Sequence, residues 1–318
     1  QQEQETLTFV AAIAYGDVKE GGPGYSSINK FYDEVEKRSE GRVKFERHFN
    51  NSLIPQDQML EALKAGTVDF ITTAPQYYTA VAPSGNLGNM YFWAESRDQA
   101  LEFLTETEVG DILDQEFSDQ GANILVHGLS NNNVMMTTYP VNGLEDLKGH
   151  VFRSQGGMDQ LWFEELGLTA TQITYAEIYE AMQRGVADGI MTSTSGIITN
   201  KWYEVLDYVV LPPLSEYPLN FTAVGQQAWN EMPEDIKQLM TEVAKEVETA
   251  TLEDGKKTNA AIEQVAKENG MEVIKLTEEE FAKIAKSYNV VFDEFESYSD
   301  NNKRIMEVIR ENNSLLKE

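Results

Sequence analysis

Glu61-Ala62-Leu63-Lys64-Ala65-Gly66-Thr67-Val68-Asp69-Phe70 returns later in the chain as Glu180-Ala181-Met182-Gln183-Arg184-Gly185-Val186-Ala187-Asp188-Gly189, matched position by position. Each copy reads as a helix end, a glycine able to take the left-handed conformation that closes helices, and an aspartate leading into a strand. One copy alone is an ordinary helix-to-strand connection. Two copies about a domain apart point to two similar α/β lobes.

Working outward, the first third alternates strand and helix signals. Residues 7–12 form a short apolar run; Ile28, Phe31, Tyr32 and Val35 then recur at the spacing of one helix face, with Gly41 as a stop. Val43, Phe45 and Phe49 fit a strand, Met59, Leu60 and Leu63 the inner face of a second helix, and 68–73 another strand. The middle repeats the design, with strands expected at 122–126, 134–138, 151–153 and 189–192, and helices at 158–166 and 175–184. Such alternation predicts βαβ units and a largely parallel sheet. From 233 to about 267 the pattern is one long amphipathic helix, and 278–298 and 303–312 extend a helical tail.

After Asp69 the chain reads Ile71-Thr72-Thr73-Ala74-Pro75-Gln76, and after Asp188 it reads Ile190-Met191-Thr192-Ser193-Thr194-Ser195. Both strands finish in small hydroxyl-bearing residues, and open α/β sheets bind ligands beyond the carboxyl ends of their strands. Polar strand ends on two lobes suggest a cleft between them; the alternative is that these are solvated loop residues.

The chain has 318 residues, a length for two domains or one large one at roughly 100 to 200 residues per domain. With 53 acidic against 25 basic residues its net charge is -28. Nucleic-acid binding depends on Lys and Arg neutralising phosphates, so DNA and RNA are not expected partners, and the same charge disfavours anionic bilayers. The absence of Cys removes disulfides, thiolate nucleophiles and Cys-based metal sites together. No apolar run approaches the ~18 residues of a membrane span. The polar start at 1–5 and the lack of an initiator Met read as an exported form without its signal peptide or as a trimmed chain.

Catalytic signatures are missing. The three His, at 48, 127 and 150, have no metal-pair spacing and read as structural. No G-x-S-x-G elbow or H-E-x-x-H helix occurs, Gly22-Pro23-Gly24 lacks the third glycine of a dinucleotide loop, and Gly255-Lys256-Lys257-Thr258 lies inside a helical pattern. Asp300-Asn301-Asn302 lacks the glycine of a calcium loop. A binder fits better than an enzyme. One cation stands out by place: Arg153, in Val151-Phe152-Arg153-Ser154-Gln155-Gly156-Gly157, ends a strand before a Gly-rich turn. A guanidinium there can hold a carboxylate with a bidentate pair, or can serve a structural salt bridge.

Leu144-Glu145-Asp146-Leu147-Lys148-Gly149-His150-Val151-Phe152-Arg153 is similar to the D-L-K-G-x-K-x-R motif of the extracytoplasmic solute-binding subunits (DctP type) of tripartite ATP-independent periplasmic (TRAP) transporters. The likeness continues in Leu166-Gly167-Leu168-Thr169, in the second repeat (similar to E-x-Y-x-A-L-Q-x-G-x-x-D-G), in Lys201-Trp202-Tyr203-Glu204-Val205 and in Trp229-Asn230-Glu231-Met232-Pro233. The resemblance implies a two-lobed α/β fold of the type II periplasmic-binding-protein kind, each lobe a mixed sheet flanked by helices, with the long helix spanning both. The lobes expected are 1–128 with about 213–252, and 129–212 with about 253–318, with the ligand cleft between them.

The same resemblance implies a periplasmic, or membrane-tethered extracytoplasmic, monomer without cofactor or metal that passes a carboxylate ligand to an ion-gradient-driven permease. Arg153 matches the family arginine that pairs with the ligand carboxylate. Gln155, Thr192 and Asn131 are expected hydrogen-bond donors, and Ser193, Gln76, Tyr15 and the aromatic run Tyr91-Phe92-Trp93 are expected to line the cleft, with Trp93 or Trp162 as an aromatic wall or as core. Departures bear on the ligand: the stretch 128–133 has no second arginine, and Ile190-Met191-Thr192-Ser193 replaces the frequent Q-E-N-P. These changes disfavour a sialic-acid-like or dicarboxylate ligand and favour a monocarboxylate with hydroxyl or apolar character. A sensor for a signalling receptor on the same fold, and a metal-dependent α/β enzyme using scattered carboxylates, are the alternatives.

Overall fold

The computed structural model describes residues 6–16, 27–130, 132–154 and 158–316. Its strands are β1 (Leu7–Ile13), β2 (Val43–His48), β3 (Phe70–Thr73), β4 (Ala122–Leu129), β5 (Asn133–Thr137), β6 (Val151–Ser154), β7 (Thr169–Gln172), β8 (Gly189–Ser193), β9 (Tyr208–Ser215), β10 (Leu219–Gly225) and β11 (Glu272–Lys275). They form two sheets, in the orders β2-β1-β3-β10-β4 and β11-β9-β5-β8-β6-β7. The chain divides into two units: Gln1–Asn89, Arg97–Ser130 and Leu219–Asp254 in the first; Met90–Ser96, Asn131–Pro218 and Gly255–Glu318 in the second.

In the first unit β1 pairs in parallel with β2 and β3, joined by the helices Lys30–Arg38 and Met59–Lys64 that the sequence periodicity predicts. Phe31, Tyr32 and Val35 of the first helix, and Met59, Leu60 and Leu63 of the second, are buried. Phe45 meets Phe70 edge-on at 5.1 Å and Tyr32 at 4.9 Å, inside a core shared with Phe9 and Phe31. Edge-to-face aromatic contacts of this kind add to simple area burial. Alternation alone predicts a largely parallel sheet; instead β10 runs antiparallel to both β3 and β4, and the sheet is mixed. The reason is topological. β10 arrives from far along the chain and not through a helical crossover.

The second unit is also mixed: β6 pairs in parallel with β7 and β8, whereas β5 is antiparallel to β8 and β9. Val134, Met136, Ile190, Ile197, Trp202 and Val209 form its core with Ile262 and Ala266. The two repeat copies fold alike. Gly66 and Gly185 have φ of 70° and 67°, the left-handed conformation that needs glycine. Thr67 N donates to Ala62 O and Val186 N to Ala181 O, both at 2.9 Å, so each helix is closed by the same backbone bond.

The long helix runs from Glu234 to Glu268, matching the amphipathic stretch. Ile236, Met240, Val243, Ala244 and Val247 join the core of the first unit, while Ile262 and Ala266 join that of the second. The helical tail is broken into Glu278–Ser287, Asn289–Ser297 and Asp300–Asn312. Thr277 and Ser299 cap the first and last of these through Glu280 N at 3.2 Å and Asn302 N at 3.0 Å.

Candidate functional site

In the second unit β6 and β8 lie side by side, with Arg153 opposite Ile190 in register, so Arg153 of β6 and Thr192 of β8 both belong to the carboxyl ends of their strands. Arg153 is 4% exposed, and its Nε donates to Ile173 O at 2.8 Å. That bond fixes the plane of a rigid guanidinium whose two Nη groups have the geometry to grip a carboxylate. The neighbouring strand end carries small polar side chains. Thr192 and Thr194 are buried, Ser193 Oγ lies 3.0 Å from Ser195 Oγ, and Asn133 pairs with Ser193 across the sheet. Thr194 N donates to Asn132 O at 3.0 Å, yet Thr194 Oγ1 is buried without a hydrogen-bond partner among the described residues. An unmatched buried hydroxyl is a costly feature in the absence of a ligand or water.

Two tyrosines share the field of Arg153. Burial pushes the Tyr91 hydroxyl up, helped by Asp159, against the opposing charge of Arg153 and a hydrogen bond with Asn133. Tyr175 is also pushed up by burial, opposed by Ser195, Thr199 and Arg153. Both stay neutral hydrogen-bonding groups. Tyr175 is 42% exposed and rests on the buried Trp202, ring centroids 5.3 Å apart. Its place follows from the local sequence. Thr174 and Glu177 form a capping box that starts a helix directly after Ile173, the residue whose carbonyl holds Arg153. Sequence reasoning treats Tyr175 only as a helix start; the Thr174-x-x-Glu177 pattern is the signal that could have placed it.

The remaining expected residues fall in different settings. Gln155 and Asn131 lie outside the described residues. In the first unit, Tyr15 follows β1 and is half-buried, with its hydroxyl pushed up by burial and by the nearby Tyr77 and Tyr78. Gln76 lies on the same turn, Pro75–Tyr78, and its Oε1 is buried without a partner among the described residues. It is seated over Gly88, where a Cβ would come within 2.6 Å of that oxygen. Thr72 and Thr73, in contrast, do not present free hydroxyls at the strand end. Thr72 is bonded to Tyr32 OH at 2.7 Å and to Thr222 at 2.8 Å, and Thr73 accepts from Gln56 and Tyr78, each at 3.1 Å.

Trp93 and Trp162 are fully buried in the second unit. Trp93 meets Tyr217 edge-on at 4.9 Å, and Trp162 donates Nε1 to Ser287 Oγ at 2.8 Å while packing on Tyr91 and Tyr288. Each histidine is next to an acid: His48 to Glu46, His127 to Asp114 and His150 to Asp188. No group of three or more His, Asp or Glu side chains suited to a metal ion occurs among the described residues, and no described helix is long and apolar enough to cross a membrane.

Residues 16–298 match the family model of the bacterial extracellular solute-binding proteins, family 7. A solute-binding protein of Albidiferax ferrireducens is 26% identical over 265 residues, covering 83% of this chain and 78% of the relative. The C4-dicarboxylate-binding protein DctB of Bacillus subtilis is 26% identical over 303 residues, covering 93% and 83%. Among solved structures, DctP7 of Bordetella pertussis, an extracytoplasmic solute receptor binding pyroglutamic acid, superposes with a TM-score of 0.82 at 17% identity, over 96% of this chain and 100% of that one. The chain therefore belongs to the bacterial extracellular solute-binding protein family 7, the DctP family of TRAP solute-binding proteins, which serve transport and are not enzymes.

Proposed function

We propose that this chain captures a small organic acid outside the cytoplasm and delivers it to an ion-gradient-driven membrane permease. The observation that carries this reading is Arg153, a buried guanidinium at the carboxyl end of β6 beside Thr192 of β8. In the proposed complex the Nη groups hold the ligand carboxylate. Tyr91, Tyr175, Thr192, Ser193 and Thr194 supply hydroxyls to the rest of the molecule, with Gln155 and Asn131 as further donors. The absence of a second arginine at 128–133 favours a monocarboxylate, with hydroxyl or apolar groups in place of a second charge. The Bordetella neighbour binds an acid of that class, pyroglutamic acid, whereas the Bacillus relative is named for C4-dicarboxylates.

A thermal-shift screen against matched mono- and dicarboxylic acids tests both parts, since a ligand that binds only the folded state raises the melting temperature by mass action. Stabilisation by monocarboxylates above their dicarboxylate counterparts is expected. Hits confined to dicarboxylates would overturn the monocarboxylate assignment, and a library of acids with no hit would overturn acid capture.

A further inference from the structure

Arg97 opens the helix Arg97–Glu106 and is 1% exposed. Its guanidinium donates to Leu129 O and Ser130 O, each at 2.8 Å, and to Thr251 O at 3.0 Å. Thr251, itself buried, accepts Leu129 N on its Oγ1 at 3.4 Å and donates that hydroxyl to Glu248 O at 2.8 Å. Asn220, also buried, donates Nδ2 to Ser130 Oγ at 2.6 Å, and its Oδ1 stands so close to Gly128 that a Cβ there would lie 1.9 Å away. All of these residues belong to the first unit, and together they mark four of the five places where the chain enters or leaves it. Arg97 follows the excursion Met90–Ser96; Ser130 precedes Asn131–Pro218 and Asn220 comes just after it; Thr251 lies within a helical turn of Asp254, where the unit ends.

Burying a guanidinium is expensive unless its hydrogen-bonding capacity is used, and its rigid fork can address several carbonyls at once in a way that an ammonium cannot. We infer that Arg97 is a positioning residue that ties four chain passages of the first unit into one cooperative set, so that they open and reclose together. Ser130 is the last residue of the first unit before the chain leaves it, so the tie holds that point of exit. The inference rests on the bonds of Arg97 and on connectivity, and it stands whether or not the ligand is an acid.

Hydrogen exchange of the full ligand-free chain tests it. In Arg97→Lys and Arg97→Gln the amides at 128–130, 219–221 and 250–254 are expected to exchange about tenfold or more faster, and by similar factors, as charged hydrogen bonds are lost, while those of β1 and β2 keep their rates. Asn220→Ala removes only the outer bond to Ser130 and is expected to accelerate the same set by a smaller factor, which keeps the test available if the Arg97 variants do not fold. Acceleration confined to the neighbours of the altered residue, or spread evenly over the first unit, would overturn the inference.

Discussion

Asp69 and Asp188 perform the same task in the two units: Asp69 Oδ2 accepts the backbone N–H of Val10 at 2.8 Å, and Asp188 Oδ2 accepts that of Val151 at 2.9 Å. In return Asp69 N donates to Val10 O at 2.9 Å and Asp188 N to Val151 O at 2.7 Å. Each aspartate thus closes the ladder between its own strand and the parallel neighbour, β1 in one unit and β6 in the other. The sequence repeat is a repeated strand-pairing device, and the second copy aligns the strand that carries Arg153.

Replacing either carboxylate should therefore cost stability by a common mechanism. Asp69→Ala and Asp188→Ala are each expected to lose about 1.5 to 3 kcal/mol, the scale of a hydrogen bond to a charged group. Only Asp188→Ala should also weaken acid binding, since β6 positions Arg153. Urea unfolding with binding titrations checks this; equal binding losses in both variants would separate the device from the site.

The sequence disclosed the elements whose side chains obey one period, and it concealed those whose character depends on distant partners. Helix faces such as Phe31, Tyr32 and Val35 were readable because a single stripe is buried. β10 was not: all of Leu219–Gly225 is buried, and its Asn220 and Thr222 look like loop residues until Ser130 and Thr72 satisfy them. The excursion Met90–Ser96 was equally hidden. Phe92 has a left-handed φ of 58° and its carbonyl accepts from Asn313 Nδ2 at 2.9 Å, a partner at the far end of the chain. Arg153 was legible because a cation at a strand end is conspicuous in so acidic a chain, whereas the approach of Tyr91 and Tyr175 to it is a product of the fold.

The buried His127 gives the stability profile a slope near neutrality. Burial lowers its pKa, but Asp114 on the helix Glu108–Ser118, 3.1 Å from Nε2, and Glu248 on the long helix outweigh burial and hold it above the ordinary 6.5. Glu248, which accepts His127 N at 2.9 Å, is raised by burial above 4.5, eased by His127 and Lys245. A base raised in the folded state contributes stability below 6.5 that is lost as pH climbs through its folded value. The raised carboxyl has the same sign in a lower window: its contribution is present below 4.5 and lost above its folded value. The protein should melt higher at about pH 6 than at about pH 8.5, and His127→Gln should flatten that difference. Parallel profiles for the two proteins would rule out His127 as its source.

Arg153 is expected to separate binding from folding. Arg153→Gln should keep the ligand-free protein folded while removing the 2.8 Å bond to Ile173 O. It should also weaken the acid selected by the screen by about 2 to 5 kcal/mol, the cost of breaking a buried charged pair. Arg153→Lys retains the charge without the fork and should recover only part of that loss. Calorimetry on the three proteins checks the order, and wild-type affinity in Arg153→Gln would remove the carboxylate role from this residue.

The support beneath Tyr175 offers a test of how the site sets ligand size without altering any group placed in contact with the ligand. Gly196 packs against the six-membered ring of Trp202, and a Cβ at that position would lie 2.1 Å from Cζ3 and 2.3 Å from Cη2. Both are atoms of a rigid ring in a fully buried side chain, so Gly196→Ala must displace the indole. Overpacking of this kind costs about 1 to 3 kcal/mol. Because Tyr175 rests on Trp202, the displaced ring should also shift Tyr175 relative to Arg153 and change the ranking of acids in the thermal-shift screen more than it changes overall binding. Trp202→Phe in the Gly196→Ala background removes the clashing atoms and should restore much of the stability, while the acid ranking stays altered because Tyr175 then rests on a smaller ring. An unchanged ranking in both variants, despite the loss and recovery of stability, would mean that Trp202 supports the core alone and that Tyr175 does not discriminate among ligands.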